Sequence, residues 1–400
     1  MYEWLGLIGV CVVGMVVVSV MVPTAWSPQV RQLVLIGAAL RLLGAMLRYE
    51  VIVRAYGGAG DALHYYAYGE AFAGFVHGGD IAAARSMIAD QPQIWGTQFL
   101  QTVTALVVTI VGPTIRGTSA VFALLGYGGV VLIARAAAAG FAGGRIKPLV
   151  TFLFLWPSLW FWPSSIGKES LILLGIGLVV SGVTGARVRW SRFAVGVVLA
   201  FLVRPHVAAL LVVGLAGAEV LGQRGALTAA RLGRLAAVVA IAALVANNAA
   251  EQLGVGAAGG TEAFMETRGS NTETGGSRIE RPSGVLAVPT AFVNVLVRPF
   301  PWEARNAMSL LSAFEMTSLW VFAWRRRRSL AVALRDWRRH RLLRTSLVFI
   351  VVLTLAYGLN YGNLGIIARQ RVVIFPFLFI VLGAPLVATS RPIHSPARAR

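Results

Sequence analysis

The chain has 400 residues, of which 57% are hydrophobic and 13% charged, with 36 Lys and Arg against 16 Asp and Glu for a formal charge of +20. Its mean hydropathy of +0.73 exceeds what a water-soluble core of this size needs. Apolar runs near the roughly 20 residues that cross a hydrocarbon layer recur along its length, which points to an all-α, polytopic transmembrane helical bundle and not to the alternating strands of an outer-membrane barrel. The basic residues stand between the apolar runs and form no single basic domain, so the charge reports topology and no nucleic-acid partner is expected. The single cysteine, Cys11, allows neither a disulfide framework nor a cysteine-based metal site.

In chain order, residues 4–22 lack a basic leader and a small-residue cleavage site and read as a retained helix. Residues 56–98 form a large loop, in which 60–89 reads as amphipathic helix with Tyr and Phe suited to a headgroup boundary. Residues 121–138 descend to the basic pair Arg145 and Lys147; 149–161 ascend, 156–169 lie outside and 170–182 descend to Arg187, Arg189 and Arg192. Helices over 193–203 and 207–221 are joined by Arg204-Pro205-His206, where proline ends or kinks a helix. After Arg224, Arg231 and Arg234, residues 232–246 ascend, 247–306 form a polar outer loop and 307–324 descend to the basic cytoplasmic loop 325–344. Finally 345–359 ascend, 360–371 lie outside and 372–387 return to a basic tail. Counted this way, one transmembrane domain, 1–400, holds about 10–12 spanning helices. Parity leaves one conflict: either 99–111 spans and the 56–98 loop is cytoplasmic, or 99–111 dips into the outer interface without crossing. The shortness of that run and the amphipathic stretch before it favour the second.

The arrangement gathers Asp61, His64, Lys168, Glu169, Arg204, His206, Arg298, Glu303, Arg369 and Arg371 at outer helix ends or in outer loops, and charged groups near a membrane tend to mark function. Asp61, after a glycine-rich turn, suits a general base that deprotonates a hydroxyl, or equally a helix cap. Ser164-Ser165-Ile166-Gly167-Lys168-Glu169 opens a helix either as a phosphate site or as a capped start with Ser164 or Ser165 as cap. Arg204, His206, Arg369 and Arg371 add cations that favour phosphate together, though each alone fits interfacial snorkelling. Arg298-Pro299-Phe300-Pro301-Trp302-Glu303 suits an outer lid, with Trp302 stacking on a sugar and Glu303 bonding hydroxyls; a plain interfacial Trp anchor is the alternative. Histidine spacing gives no zinc site and no Walker-type loop is present, so no cofactor is expected and only a divalent metal is left open.

An Asp in an early outer loop, Arg116-Gly117-Thr118-Ser119-Ala120 opening a helix, Pro157-Ser158 with Ser164-Ser165 before Lys168-Glu169, and Asn363-Leu364-Gly365 with Arg369-Gln370-Arg371 before Pro376-Phe377 together resemble the GT-C superfamily of membrane glycosyltransferases. The late motifs also look like those of bacterial members loosely related to the dolichyl-phosphate-mannose mannosyltransferases and the RgtA-like group, and the resemblance covers 57–211 well and the rest loosely. Such members often carry paired acids in the first loop, whereas here Glu70 is the acid nearest Asp61. The resemblance implies an outer-loop Asp as catalytic base and membrane-skimming helices in that loop. The expected function is an inverting transfer of sugar from a polyprenyl-phosphate donor to a cell-envelope glycan or lipid acceptor at the outer face of a bacterial plasma membrane. Asp61 would act as base, with Lys168, Arg204 and Arg371 on the phosphate. A polymerase or ligase of lipid-linked oligosaccharides and a flippase-type transporter are the alternatives.

Overall fold

The computed structural model describes residues 2–55, 57–58, 60–141, 146–184, 188–222, 233, 236, 277–335 and 337–388. The expected helix 232–246 apart from 233 and 236, residues 247–276 of the polar loop 247–306, and the basic tail from 389 fall outside the described residues. Those described form seventeen α-helices and no strand, the helical bundle of a multi-pass membrane protein. Six helices are long and apolar enough to cross a bilayer, or seven if the pair 364–373 and 375–384, bent by 59°, counts as one. The expected 10–12 included shorter segments. Residues 149–161, for example, break at Trp156 into α7 (Lys147–Leu155) and α8 (Pro157–Phe161), because Pro157 cannot continue a helix through its own missing N–H.

The core is built on α6 (Ile115–Gly140) and α9 (Lys168–Val183), which pack along their length. They touch backbone to backbone: a Cβ on Gly129 would overlap the Leu173 carbonyl, and one on Gly177 would overlap the Gly129 backbone. Small residues let membrane helices approach this closely, where dispersion rather than water release holds them. Gly129→Ala has no flexible side chain to displace and is expected to cost about 1–3 kcal/mol, lowering the melting temperature in detergent. Gly128→Ala is the control, since its Cβ would meet nothing nearer than Leu174 Cδ1 at 3.9 Å.

Depth follows from which residues face each other. Along α1 (Tyr2–Met21), Gly6 lies against Thr114 and Gly14 against Leu124, and Arg135 donates to the Met21 carbonyl at 3.4 Å. The exposed side of α1, with Leu5, Ile8, Val12, Val16 and Val20, therefore marks an apolar belt from the level of Thr114 to that of Arg135. The top of α2 (Pro28–Glu50) meets the top of α6 through Glu50 and Arg116, 3.4 Å apart. In α9, Ser170 sits against Gly126 and Thr184 against Gly140, so α9 runs parallel to α6 but starts level with Gly126. That is eleven residues below Ile115, roughly 16 Å at ~1.5 Å per residue. The charged start of α9 thus lies inside the belt, deeper than the outer surface where the sequence puts it.

The same geometry gives the course of the segment on which the parity conflict turns. α5 (Thr97–Val111) begins beside the recessed start of α9, where Gly96 N–H donates to the Leu202 carbonyl at 2.7 Å and Lys168 Nζ is 3.5 Å from Thr97 Oγ1. It ends just before the top of α6. Beside it, α3 (Asp61–His77) follows the same course, with Tyr65 bonded to Thr97 at one end and His77 Nε2 3.1 Å from the Thr109 carbonyl at the other. Both helices run between the level of the α9 start and the top of α6, and α5, with 15 residues, is not among the six helices long enough to cross a bilayer. The stretch 60–89 is two helices, α3 and α4 (Ile81–Ala89), because Gly78 and Gly79 separate them and Asp80 caps the second by accepting from Ala83 N–H at 3.0 Å.

The remaining helices complete the wall. α10 (Trp190–Val203) and α11 (Pro205–Gly222) meet at Arg204, while α12 (Ala287–Leu296) and α13 (Ala307–Arg325) flank a 3₁₀ turn at Pro301–Glu303. Basic α14 (Arg327–Arg335) leads to α15 (Arg341–Asn360), then to short α16 (Leu364–Gln370) and buried α17 (Phe375–Ala388).

Candidate binding cavity and its charged wall

The upper half of the bundle encloses a cavity of about 790 Å³. Its walls come from the last turn of α2, the Trp162 loop, residues 277–279, the 298–309 turn with the start of α13, and α16. Residues 277–279 are fixed on the α16 side: Ile279 N–H donates to the Gly362 carbonyl and Leu364 N–H to the Ser277 carbonyl, both at 2.9 Å. Among the described residues, five arginines line the space, Arg48, Arg278, Arg298, Arg305 and Arg369, against one lining acid, Glu303. Such a surface suits an anion with several oxygens, because a guanidinium fork binds two of them at once.

Behind Arg369 lies a buried ionic cluster. The Glu169 carboxylate accepts from Arg204 at 3.0 Å and pairs with Arg369 at 3.1 Å, and Arg204 also donates to the Gln370 amide oxygen. Arg204 reaches this point because α10 ends at Val203 and Arg204 is extended before Pro205 starts α11. Thus the Arg-Pro break ends α10 where the sequence implies, but it holds the guanidinium inside the belt and not at the outer surface. The guanidinium serves Glu169 and not the cavity.

Other expected residues are placed differently. Lys168 is next to Thr97 and does not line the cavity. The α9 start is capped by Gly167, not Ser164 or Ser165; Ser164 Oγ donates instead to the Trp160 carbonyl. Its first-turn acid is Glu169, so the helix start is already supplied with a carboxylate. Arg371, expected on the phosphate, is 1% exposed and turned away. Its Nη1 donates to the carbonyls of Val295 (3.0 Å) and Arg298 (2.7 Å), and its Nη2 to Ser312 Oγ (2.9 Å), so it holds the turn that carries Arg298. His206 is exposed on the first turn of α11.

Asp61 is exposed at the first position of α3, and Gly60, at φ 139°, takes the cap position with no side-chain cap bond. The capping role is therefore not its own. Asp61 does not line the cavity but stands near the ionic cluster, because Tyr65 feels Asp61, Glu169 and Arg204 together. Burial, and then Asp61, push the Tyr65 phenol up to about 12, with the Thr97 bond, Glu169 and Arg204 contributing less. Trp302 is exposed and stacks on Phe300 at 4.8 Å between ring centroids, leaving a face open at the cavity edge.

Glu303 binds Arg298 through both oxygens and accepts from Phe300 N–H at 2.8 Å. Partial burial alone raises its pKa, but the Arg298 and Phe300 bonds outweigh it and hold the carboxyl below the usual range. A depressed folded pKa means that the contact is fully formed above the unfolded value and is lost only as pH falls through the folded one. Hydrogen exchange over 298–306, corrected for intrinsic rate, is accordingly expected to be unchanged from about pH 7 to about pH 5, since unfolded Glu titrates near 4.3. Glu303→Gln is expected to accelerate it at both.

Protein-family models, curated proteins and solved structures contain no match to this chain. What the cavity does must therefore be argued from its own residues. Among the described residues no group of three or more His, Cys, Asp and Glu is placed to hold a metal ion. Several of the cavity's residues carry little sequence signal. Arg48 ends an apolar helix and reads as a snorkelling residue, and Arg278 and Arg305 are lost in a polar loop. Glu315 was legible as the lone acid inside the apolar run 307–324; its carboxylate accepts from Ser158 N–H at 2.6 Å and from Ser158 Oγ, fixing α13 to α8.

Proposed function

We propose that the chain is a membrane glycosyltransferase of the GT-C kind, in the plasma membrane of a bacterium, that moves sugar from a polyprenyl-phosphate-linked donor to an outer cell-envelope glycan or lipid. The observation that carries this is the arginine-lined cavity within the apolar belt, on the face opposite the basic 325–344 segment. An anionic headgroup attached to a lipid chain can enter such a site while its chain stays in the bilayer. Trp302 at the edge offers an aromatic face to a sugar, and Asn306 and Ser309 on the wall offer polar groups to its hydroxyls.

In the reaction, an acceptor hydroxyl oxygen attacks the anomeric carbon from the side opposite the phosphate. The bond from that carbon to the phosphate oxygen breaks, its electron pair leaves with the lipid phosphate, and the hydroxyl proton passes to a base, for which Asp61, near the Glu169 cluster and outside the cavity lining, is the candidate. Arg369 and its neighbours stabilise the charge that grows on the departing oxygen. Glu169, fixed by Arg204, holds Arg369 in place. Glu303 is a poor candidate for the base, since two donors already hold it ionised.

The test is sugar transfer by the purified protein in nanodiscs, with radiolabelled lipid-linked sugars as donors and an envelope-glycan extract as acceptor. Transfer that falls on Arg369→Ala supports the proposal; none with any donor and acceptor sinks it. The recessed depth of the Glu169 cluster also favours a second reading, a lipid-headgroup transporter, since transport sites lie near the bilayer midplane. Movement of labelled lipid-linked sugar between leaflets of proteoliposomes, without transfer, would decide for it.

A further inference from the structure

We infer that a groove beside the lower half of α13 seats an anionic phospholipid of the leaflet next to the basic 325–344 segment, whatever the arginine-lined cavity binds. Along α13, Thr317, Val321, Trp324 and Arg325 recur at spacings of three and four residues, which places them on one helix face, and all four are exposed. The Phe300 and Trp302 rings wall that face at its upper end and Leu330 of α14 at its lower end, enclosing about 720 Å³. Trp320 ties the upper wall to α13, because its Nε1–H donates to the Leu296 carbonyl at 2.6 Å.

Depth and charge name the occupant. Leu342, near the end of the basic segment, lies against Gly140 at the lower end of α6, so the segment sits at the edge of the apolar belt marked by Arg135. From Arg325 up to Thr317 is eight residues, roughly 12 Å at ~1.5 Å per residue, close to half of a hydrocarbon core of about 30 Å. A partner's spanning helix needs the full thickness, whereas the chains of a single-leaflet lipid need half of it. The lower end of the groove carries Arg325 and Arg327. Arg327 is pre-set there: its guanidinium lies 4.5 Å from the Trp324 ring centroid, and its Nη1 donates to the Trp324 carbonyl at 3.0 Å, a bond that uses one of the five N–H donors of a guanidinium. The surrounding charge is a property of the whole sequence on this side. Residues 325–344 hold nine arginines and one acid, Asp336, and the other basic stretches expected here, 223–235 and 389–400, contain no Asp or Glu. Glu219 pairs with Arg341, outside the groove lining. An apolar groove one leaflet deep with guanidiniums at its surface end matches acyl chains below a phosphate.

The experiment counts lipid adducts on the intact, delipidated protein by native mass spectrometry as phosphatidylglycerol or phosphatidylcholine with the same acyl chains is added. The first phosphatidylglycerol is expected to bind at least about tenfold tighter than the first phosphatidylcholine, since each arginine near an anionic headgroup strengthens binding severalfold. Arg325→Gln with Arg327→Gln should cut that ratio to about twofold or less. Arg328→Gln with Arg338→Gln, in the same segment but outside the groove lining, should leave most of it. Val321→Trp, which puts an indole into the groove, should weaken the binding of both lipids. All five side chains are exposed, and melting temperatures check that the variants are folded. Equal losses from the two arginine pairs would mean diffuse attraction to the segment, and Val321→Trp that breaks a dimer while sparing lipid binding would make the groove an interface between copies; either result overturns the inference. So does thermal stabilisation by glycerol 3-phosphate equal to that by phosphatidylglycerol, which would mean a site for soluble phosphate.

Discussion

Glu169→Gln is expected to destabilise the bundle by about 3–5 kcal/mol, the cost of removing one partner from a buried ion cluster. Glu169 and Arg204 each keep only 10% of their side-chain surface exposed, and the cluster sits near the middle of the apolar belt, where two guanidiniums facing each other without a carboxylate have no water to screen them. The neutral amide also leaves Arg204 with Gln370 as its one remaining side-chain acceptor among the described residues. Thermal unfolding in mild detergent should show the loss directly, and Glu169→Gln combined with Arg369→Gln should recover part of it, because one of the unbalanced charges is then gone. A Glu169→Gln protein that melts like the native one would mean that the cluster is hydrated or neutral, and that Arg369 is not held from behind.

Asp61→Asn is expected to leave the fold intact and to lower sugar transfer by about 10²–10⁴, the usual range for loss of a general base. The side chain is exposed and makes no cap bond, so the melting temperature should not move. The amide keeps the shape and removes the proton acceptor. The kinetic signature matters as much as the size: the rate at saturating donor should fall while donor affinity is kept, because Asp61 does not line the phosphate cavity. If donor affinity falls instead, Asp61 binds substrate and another group is the base; an unchanged rate removes it from the reaction.

Fold class was legible because the signal is solvent-scale: apolar runs such as 4–22 and 345–359 admit little but a bilayer, and the Arg204-Pro205 break is local stereochemistry. Depth was not legible. Nothing in Ser164-Ser165-Ile166-Gly167-Lys168-Glu169 says that α9 begins level with Gly126 of α6; that follows from the Gly129 and Gly177 contact, which is tertiary. The candidate site was legible in part. Arg369, Trp302 and Glu303 were selected and do line the cavity, whereas Arg371 was selected on the same grounds and is turned into the protein to hold the 295–298 turn. Two arginines separated by one residue look alike in sequence, and only the course of α16 separates them. Arg48, Arg278 and Arg305 were overlooked because each, by itself, is what an interfacial or loop arginine looks like.

Everything proposed for the cavity requires that it open away from the cytoplasm. In a Cys11→Ser background, single cysteines at the exposed positions Arg278, Arg305 and Arg328 can be probed in intact cells with a membrane-impermeant thiol reagent. The account expects labelling at 278 and 305 in intact cells, and at 328 only after the membrane is permeabilised. The reverse pattern would put the arginine-lined cavity on the cytoplasmic side and contradict transfer at the outer face.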